Sequence, residues 1–218
     1  MICSLRSVNQ EIPYFIFDDY SSKDTRRWLE EHEIQYGYKV VGLEKHTNKL
    51  SPNYRTTLIL AQKIALENSS NLIIVESDVF ARYETVLELN KLANELTDAG
   101  LVGSVTVDEN GAVNFPYTYA TAIGKPDVFA SARSLSFCCT VLSLRMLEKF
   151  DFNQLPGNLD WFDVFLSRKS RQLGFSNYVV KNLPVVHIPH SSRPWKQLKY
   201  KNPVLYYLRK IFIRRDRI

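Results

Sequence analysis

Leu72-Ile73-Ile74-Val75-Glu76-Ser77-Asp78 is the stretch on which the reading of this chain turns. Four consecutive apolar residues read as a short, fully apolar strand, and two carboxylates follow directly at its carboxyl end. Open α/β sheets bind ligands at the carboxyl ends of their strands. Two acids immediately after such a strand cannot both cap one helix, so a functional role for Glu76 and Asp78 stands level with a structural one.

The alternation continues on both sides. Upstream, Arg55 to Glu67 sets Leu58, Ala61, Ile64 and Ala65 at helical spacing. Before it lie a polar loop with Lys49, Ser51, Pro52 and Asn53, and a strand over Lys39 to Leu43. Earlier still, Tyr14 to Phe17 is a buried strand ending in Asp18-Asp19, and Ser21 or Ser22 caps a helix over Asp24 to Tyr36. Downstream, Ala81 to Leu96 is a helix, and Leu101 to Val107 with Ala112 to Phe115 forms a hairpin around Glu109-Asn110-Gly111. Residues 116–133 show no period and are expected to be a mobile loop near a site. Leu135 to Leu144 follows as a strand, then a short helix and a turn at Pro156-Gly157-Asn158. Asp160 to Leu173 is a helix stopped at Gly174, and Val179 to His187 holds a short strand or two, broken at Pro184. The pattern predicts an α/β layered fold.

The composition bounds what this fold does. The chain has 218 residues, 45% hydrophobic and 23% charged, which excludes a disordered polypeptide. No apolar run approaches the ~20 residues of a membrane span. The net charge of +5 is local: residues 196–218 carry eight Lys/Arg against Asp216 alone, and the rest of the chain holds 20 basic and 22 acidic residues. Nucleic-acid binding therefore ranks last, since the basic residues sit in one terminal segment without a groove-reading motif. Met1 is followed by no apolar leader, and Cys3, Cys138 and Cys139 make neither a disulfide framework nor zinc spacing, so a cytosolic protein is expected. Cys138 and Cys139 read as small buried hydrophobes.

Three acidic positions fall where ligands bind: Asp18-Asp19, Glu76 with Asp78, and Asp160 with Asp163 at a helix start. His187 and His190 follow late in the chain, with Pro189 between them ruling out a helical metalloprotease motif. Carboxylates at strand ends suit a hard divalent cation, and an imidazole completes its shell. Taken singly, Asp18 and Asp19 read first as helix caps, Asp160 and Asp163 as partners of a helix dipole, and the histidines as surface residues.

In their order, these residues resemble the inverting family 2 glycosyltransferases of the GT-A fold, in the rhamnosyltransferase-like branch. Phe15 to Asp24 is similar to the family's strand and Asp-Asp-x-Ser-x-Asp segment, and Leu72 to Val79 resembles its Asp-x-Asp segment with Glu76 in the first acidic place. Val102 to Val113 resembles the segment that follows in that branch. Asp163 to Arg168, with Gly174 beyond, is similar to the Glu-Asp helix, and Val186 to Ser191 to the late His segment. The match covers most of residues 4–192.

The resemblance implies a Rossmann-like mixed sheet flanked by helices in a single domain over 1–195, followed by a basic aromatic segment over 196–218. It implies inverting transfer of a sugar from a nucleoside-diphosphate donor to a hydroxyl of a glycan or lipid-linked acceptor, in polysaccharide or glycolipid synthesis. Asp18, Asp19, Arg55, Glu76 and Asp78 would hold the nucleotide sugar. Asp78, His187 and His190 would hold Mg²⁺ or Mn²⁺, and Asp163, with Asp160 as the alternative, would be the base. Two departures stand out. The chain begins within the helix that follows the family's first strand, so that strand is either truncated or dispensed with. Phe162 replaces the Glu of the Glu-Asp pair. Both favour the alternative of a catalytically silent domain that binds a nucleotide or a partner. The tail reads equally as an amphipathic helix on an anionic membrane, placing the protein on its inner face, or as a terminal helix packed on the core.

Overall fold

The computed structural model describes residues 12–114, 116–122, 124, 126–157, 161–188 and 205. Its strands are β1 (Tyr14–Asp18), β2 (Tyr38–Gly42), β3 (Leu72–Val75), β4 (Val79–Phe80), β5 (Ala99–Val107), β6 (Val128–Ala130), β7 (Cys139–Leu142) and β8 (Ser176–His187). Its helices are α1 (Lys23–Glu31), α2 (Glu33–Tyr36), α3 (Tyr54–Glu67), α4 (Tyr83–Glu95), α5 (Leu144–Lys149) and α6 (Phe162–Gln172). Six strands form one mixed sheet in the order β3-β7-β5-β8-β4, with β6 also on β8, while β1 and β2 form a separate parallel pair. Only β5 and β8 run parallel in the larger sheet; its other pairings are antiparallel.

All nine residues of β5 are buried, which marks it as the sheet's central strand. Side chains alternate across a strand, and here they feed two cores. Leu101, Val105, Leu142 and Val179 pack with Leu58 of α3, Met146 and Leu147 of α5, and Phe162 and Leu166 of α6. Val102, Val141 and Val180 pack on the other face with Val86, Leu89 and Ala93 of α4. The result is a mixed α/β sheet with helices on both faces, as the alternating pattern predicts. Among the described residues, no helix is long and apolar enough to cross a membrane.

The approach of α6 to the sheet depends on Gly100. A Cβ there would lie 2.0 Å from Ser170 Oγ and 2.8 Å from Phe175 Cβ. Ser170 cannot simply turn away, because its hydroxyl donates to Asn177 Oδ1 at 2.7 Å in a buried network. Gly100→Ala is therefore expected to cost about 1–3 kcal/mol by overpacking, read as a lower urea midpoint with an unchanged slope. At the far end of α6, Gly174 has φ +87°. Gly174 N–H donates to Arg171 O and Phe175 N–H to Ser170 O, closing the helix in a Schellman motif.

Several local expectations are corrected. The single helix over Asp24 to Tyr36 is two helices, because His32 Nδ1 donates to Trp28 O at 2.7 Å and takes the carbonyl that the His32 amide would use. Its cap is Ser22, whose Oγ accepts from Thr25 N. The second arm of the Leu101 hairpin shrinks to one bridge, Val107 to Val113, because Asp108 Oδ1 accepts the N–H groups of Asn110 and Ala112. The stretch over 116–133, expected to be a mobile loop, is packed at two places, while its described residues between 121 and 127 are exposed. Tyr117 is fully buried in a 3₁₀ turn over Tyr117–Thr121, and β6 pairs with β8.

The strand expected from Leu135 is regular only from Cys139, since Leu135 N donates to Ser167 Oγ and Ser136 N to Tyr117 Oη. In β8 the chain runs through Pro184 as one strand. The ladder with β5 is irregular there, stepping from Ser104–Val180 to Thr106–Val185. A proline is tolerated at such a bulge, and Ser104 Oγ donates to Leu183 O across it.

Candidate functional site

Three strand ends converge on one buried corner. Glu76 N–H donates to Cys138 O at 3.1 Å, which extends the β3–β7 pairing by one step. Val79 N–H then donates to Glu76 O, turning the chain into β4. Because β4 pairs Val79 with His187, this turn delivers Asp78 beside the end of β8. Asp78 Oδ2 and His187 Nε2 are 3.3 Å apart, with side chains only 6% and 7% exposed, and Ile188 N–H donates to Asp78 O at 3.0 Å. Since the carboxylate accepts, Nε2 carries the proton in this contact. His187 Nδ1 is buried with no hydrogen-bond partner.

Ligand-capable atoms of Glu76, Cys138 and His187 all lie within 4.8 Å of one another. Cys138 Sγ donates to Glu76 Oε2 at 3.3 Å and sits 3.2 Å from Ser136 Oγ. Burial pushes the Cys138 thiol far up, and the Glu76 carboxylate pushes it further, so the group is a neutral thiol. Cys139, on the adjacent position, is pushed up to about 12 by burial alone. The donor set of carboxylate, thiol and imidazole fits a divalent cation, and the orphaned His187 nitrogen is the observation that favours one.

Asp163 stands in the first turn of α6, half-buried, where its Oδ1 accepts from Val164 N at 2.8 Å. The Tyr117 hydroxyl is pushed well above its ordinary range, chiefly by burial, with further contributions from Cys138 and from the Asp163 charge. Tyr117 Oη accepts from Ser136 N at 2.9 Å, two residues from Cys138.

The other expected residues fall differently. Asp18 is 2% exposed at the end of β1; its Oδ1 accepts from Ser21 N at 3.2 Å, and Oδ2 is buried without a partner. Asp19 is no helix cap: its two oxygens accept from Asn53 N at 2.8 Å and Asn53 Nδ2 at 2.7 Å, pinning the loop before α3. Arg55, expected at the nucleotide, donates from its guanidinium to Leu155 O at 2.7 Å and Asn153 O at 2.6 Å. Its position at the start of α3 points it at main-chain carbonyls. Asp160, His190 and, Leu205 apart, the segment 196–218 lie outside the described residues.

Cys138 and Tyr117 are the residues that sequence reading missed. Alternation carried half the signal for Cys138, since adjacent cysteines face opposite ways and one of them can face a site. Its partner Glu76, 62 positions earlier, gave none.

No protein-family model and no curated protein matches the chain. Solved structures do. The crystal structure of GalNAc-T7 with UDP, GalNAc and Mn²⁺ superposes with a TM-score of 0.51 at 15% identity, over 82% of this chain and 38% of that one. The crystal structure of a mycobacterial protein superposes with a TM-score of 0.54 at 18% identity, over 90% of this chain and 64% of that one. This chain thus spans well under half the length of GalNAc-T7. At these identities the likeness is one of fold, and it shows that the chain has a GT-A-like fold.

Proposed function

We propose that this chain is a glycosyltransferase domain that moves a sugar from a nucleoside diphosphate to an acceptor hydroxyl with inversion. The observation that supports it most is the buried Asp78–His187 pair, with the half-buried Glu76 close to His187, at converging strand ends of a GT-A-like sheet. Glu76 and His187 would hold a divalent cation, with Asp78 fixing the imidazole. When bound, that cation supplies positive charge against a diphosphate leaving group. Asp18 offers its unpartnered Oδ2 to the nucleoside. Asp163 takes the proton of the acceptor hydroxyl as its oxygen attacks the anomeric carbon from the opposite face. Residues 1–195 form the transferase domain in this reading, and 196–218 hold it to an anionic membrane carrying a lipid-linked acceptor.

Calorimetry with UDP, GDP and dTDP, each with and without Mn²⁺ or Zn²⁺, tests the donor site. At least one nucleotide is expected to bind only with a cation, and Asp78→Asn is expected to weaken that binding about tenfold or more, as loss of a group orienting a metal ligand does. Cation-independent results throughout would support the second reading, a catalytically silent domain. That reading is favoured by Phe162, which fills the expected Glu position and is buried against the core beside Tyr54.

A further inference from the structure

We propose that Cys138, Glu76 and His187 form a site for a thiophilic divalent cation of the zinc class, and that this donor set selects Zn²⁺ over Mg²⁺ and Mn²⁺. The proposal rests on reading this corner as a cation site, and not on sugar transfer. The three residues arrive from the end of β3, the residue before β7 and the end of β8, so the sheet itself holds them together. Zinc bonds of about 2.0–2.3 Å to oxygen, nitrogen and sulfur put tetrahedral donors about 3.3–3.8 Å apart. Cys138 Sγ and Glu76 Oε2 are already 3.3 Å apart, and all three donors fall within 4.8 Å, so small side-chain rotations close the set.

His187 is prepared for this role on both sides of its ring. Asp78 Oδ2 stands 3.3 Å from Nε2, the carboxylate–histidine arrangement that fixes tautomer and orientation for a ligating imidazole. Nδ1 is left buried and unpartnered, in a residue only 6% exposed. Buried nitrogens are almost always met by some partner, and a cation held by this imidazole together with Glu76 and Cys138 would supply one. Thiolate is a soft ligand that Mg²⁺ and Mn²⁺ do not favour, and Mn²⁺ stands lowest in the affinity order for nitrogen and sulfur sites. Three protein donors leave a fourth tetrahedral position for an oxygen of water or ligand. On coordination the sulfur–cation bond replaces the S–H bond, and the Cys138 proton passes to solvent, one per ion bound.

Cobalt reports the sulfur directly. Co²⁺ added to the chelator-stripped full chain is expected to give a near-ultraviolet thiolate-to-cobalt charge-transfer band and the visible bands of a four-coordinate site. One equivalent of Zn²⁺ should erase the band, whereas about a hundredfold excess of Mg²⁺ or Mn²⁺ should leave it. Cys138→Ser should remove the band, with folding checked by circular dichroism. Glu76→Gln, at a half-buried position, should shift the visible bands while keeping the charge transfer. Cobalt binding without a charge-transfer band, or displacement by Mn²⁺ as readily as by Zn²⁺, would overturn the proposal even if no variant folded. A chain that binds nucleotide but gives no band would overturn it while leaving sugar transfer standing. A band without nucleotide binding would uphold the site and sink the transfer reading.

Discussion

Asp163→Asn is expected to lower kcat for sugar transfer about 10²- to 10⁴-fold, the usual contribution of a positioned general base. That is about 3–5 kcal/mol of barrier. Two roles compete for this side chain. As a partner of the α6 dipole, its charge contributes about 0.3–1 kcal/mol to stability and nothing to the reaction. The Asn variant separates them, because its amide oxygen still accepts from Val164 N, as Asp163 Oδ1 does at 2.8 Å. The helix start is thereby preserved while the proton acceptor is lost. The affinity for the nucleotide-sugar donor should stay within about threefold of wild type, since the base acts on the acceptor. A kcat within about threefold of wild type, with the usual small loss of stability, would leave Asp163 as a dipole partner only. What lifts Asp163 above an ordinary first-turn acid in this reading is its place in the segment that resembles the Glu-Asp helix.

Most of the fold was legible because its signals are local. The apolar run at Leu72 and the helical spacing from Arg55 to Glu67 need only their own neighbours, and both elements form within a residue of expectation. Errors arose where a side chain took a main-chain partner. His32 broke a helix by donating to Trp28 O, and Tyr117 with Ser167 replaced the strand hydrogen bonds expected at Leu135 and Ser136. Nothing in a period of 2 or 3.6 encodes such exchanges. Residues 116–133 depart from expectation at Tyr117 for a related reason. Aromatics without a period look like a loop, yet Tyr117 is pinned by a residue 19 positions away.

The site divided along the same line. Glu76, Asp78 and His187 were legible as acids and imidazole at strand ends, and β4, too short to read, is what brings them together through Val79 and His187. Asp19 and Arg55 are polar residues at the ends of their elements, and both make tertiary hydrogen bonds, to Asn53 and to Asn153 and Leu155 respectively. Residue type and place could not tell a ligand contact from a clasp, because each uses the same donors and acceptors. Cys138 shows the converse, where a residue typical of a core carries polar contacts that only the fold supplies.

The largest stability effect is expected at Gln62, another such clasp. Its amide nitrogen donates to Leu147 O at 2.9 Å and Phe150 O at 2.7 Å, and its oxygen accepts from Phe152 N at 2.7 Å. Gln62 is 4% exposed, and Leu147, Phe150 and Phe152 are equally buried, so none of these main-chain groups has easy access to water. The two carbonyls lie in the last turn and at the C-cap of α5, where carbonyls have no partner within the helix. Gln62→Leu keeps the volume and removes all three hydrogen bonds at once. With about 1–3 kcal/mol for each buried group left unmade, partly relieved by relaxation, the expected loss is about 2–5 kcal/mol. Out of a total of about 5–15 kcal/mol, that is a large fraction. Gln62→Glu adds a check on sign. A carboxylate still accepts from Phe152 N but faces two carbonyls with no proton, which holds its pKa above the ordinary carboxylate range. A group raised in the folded state favours folding when protonated, so the deficit of Gln62→Glu should shrink as pH falls and grow as it rises through that pKa. Urea midpoints for both variants between pH 4 and pH 8 measure this, and a loss below about 0.5 kcal/mol for Gln62→Leu would class the site with ordinary surface substitutions. Because α3 also holds Asn153 and Leu155 through Arg55, these two side chains fix the turn that leads toward α6.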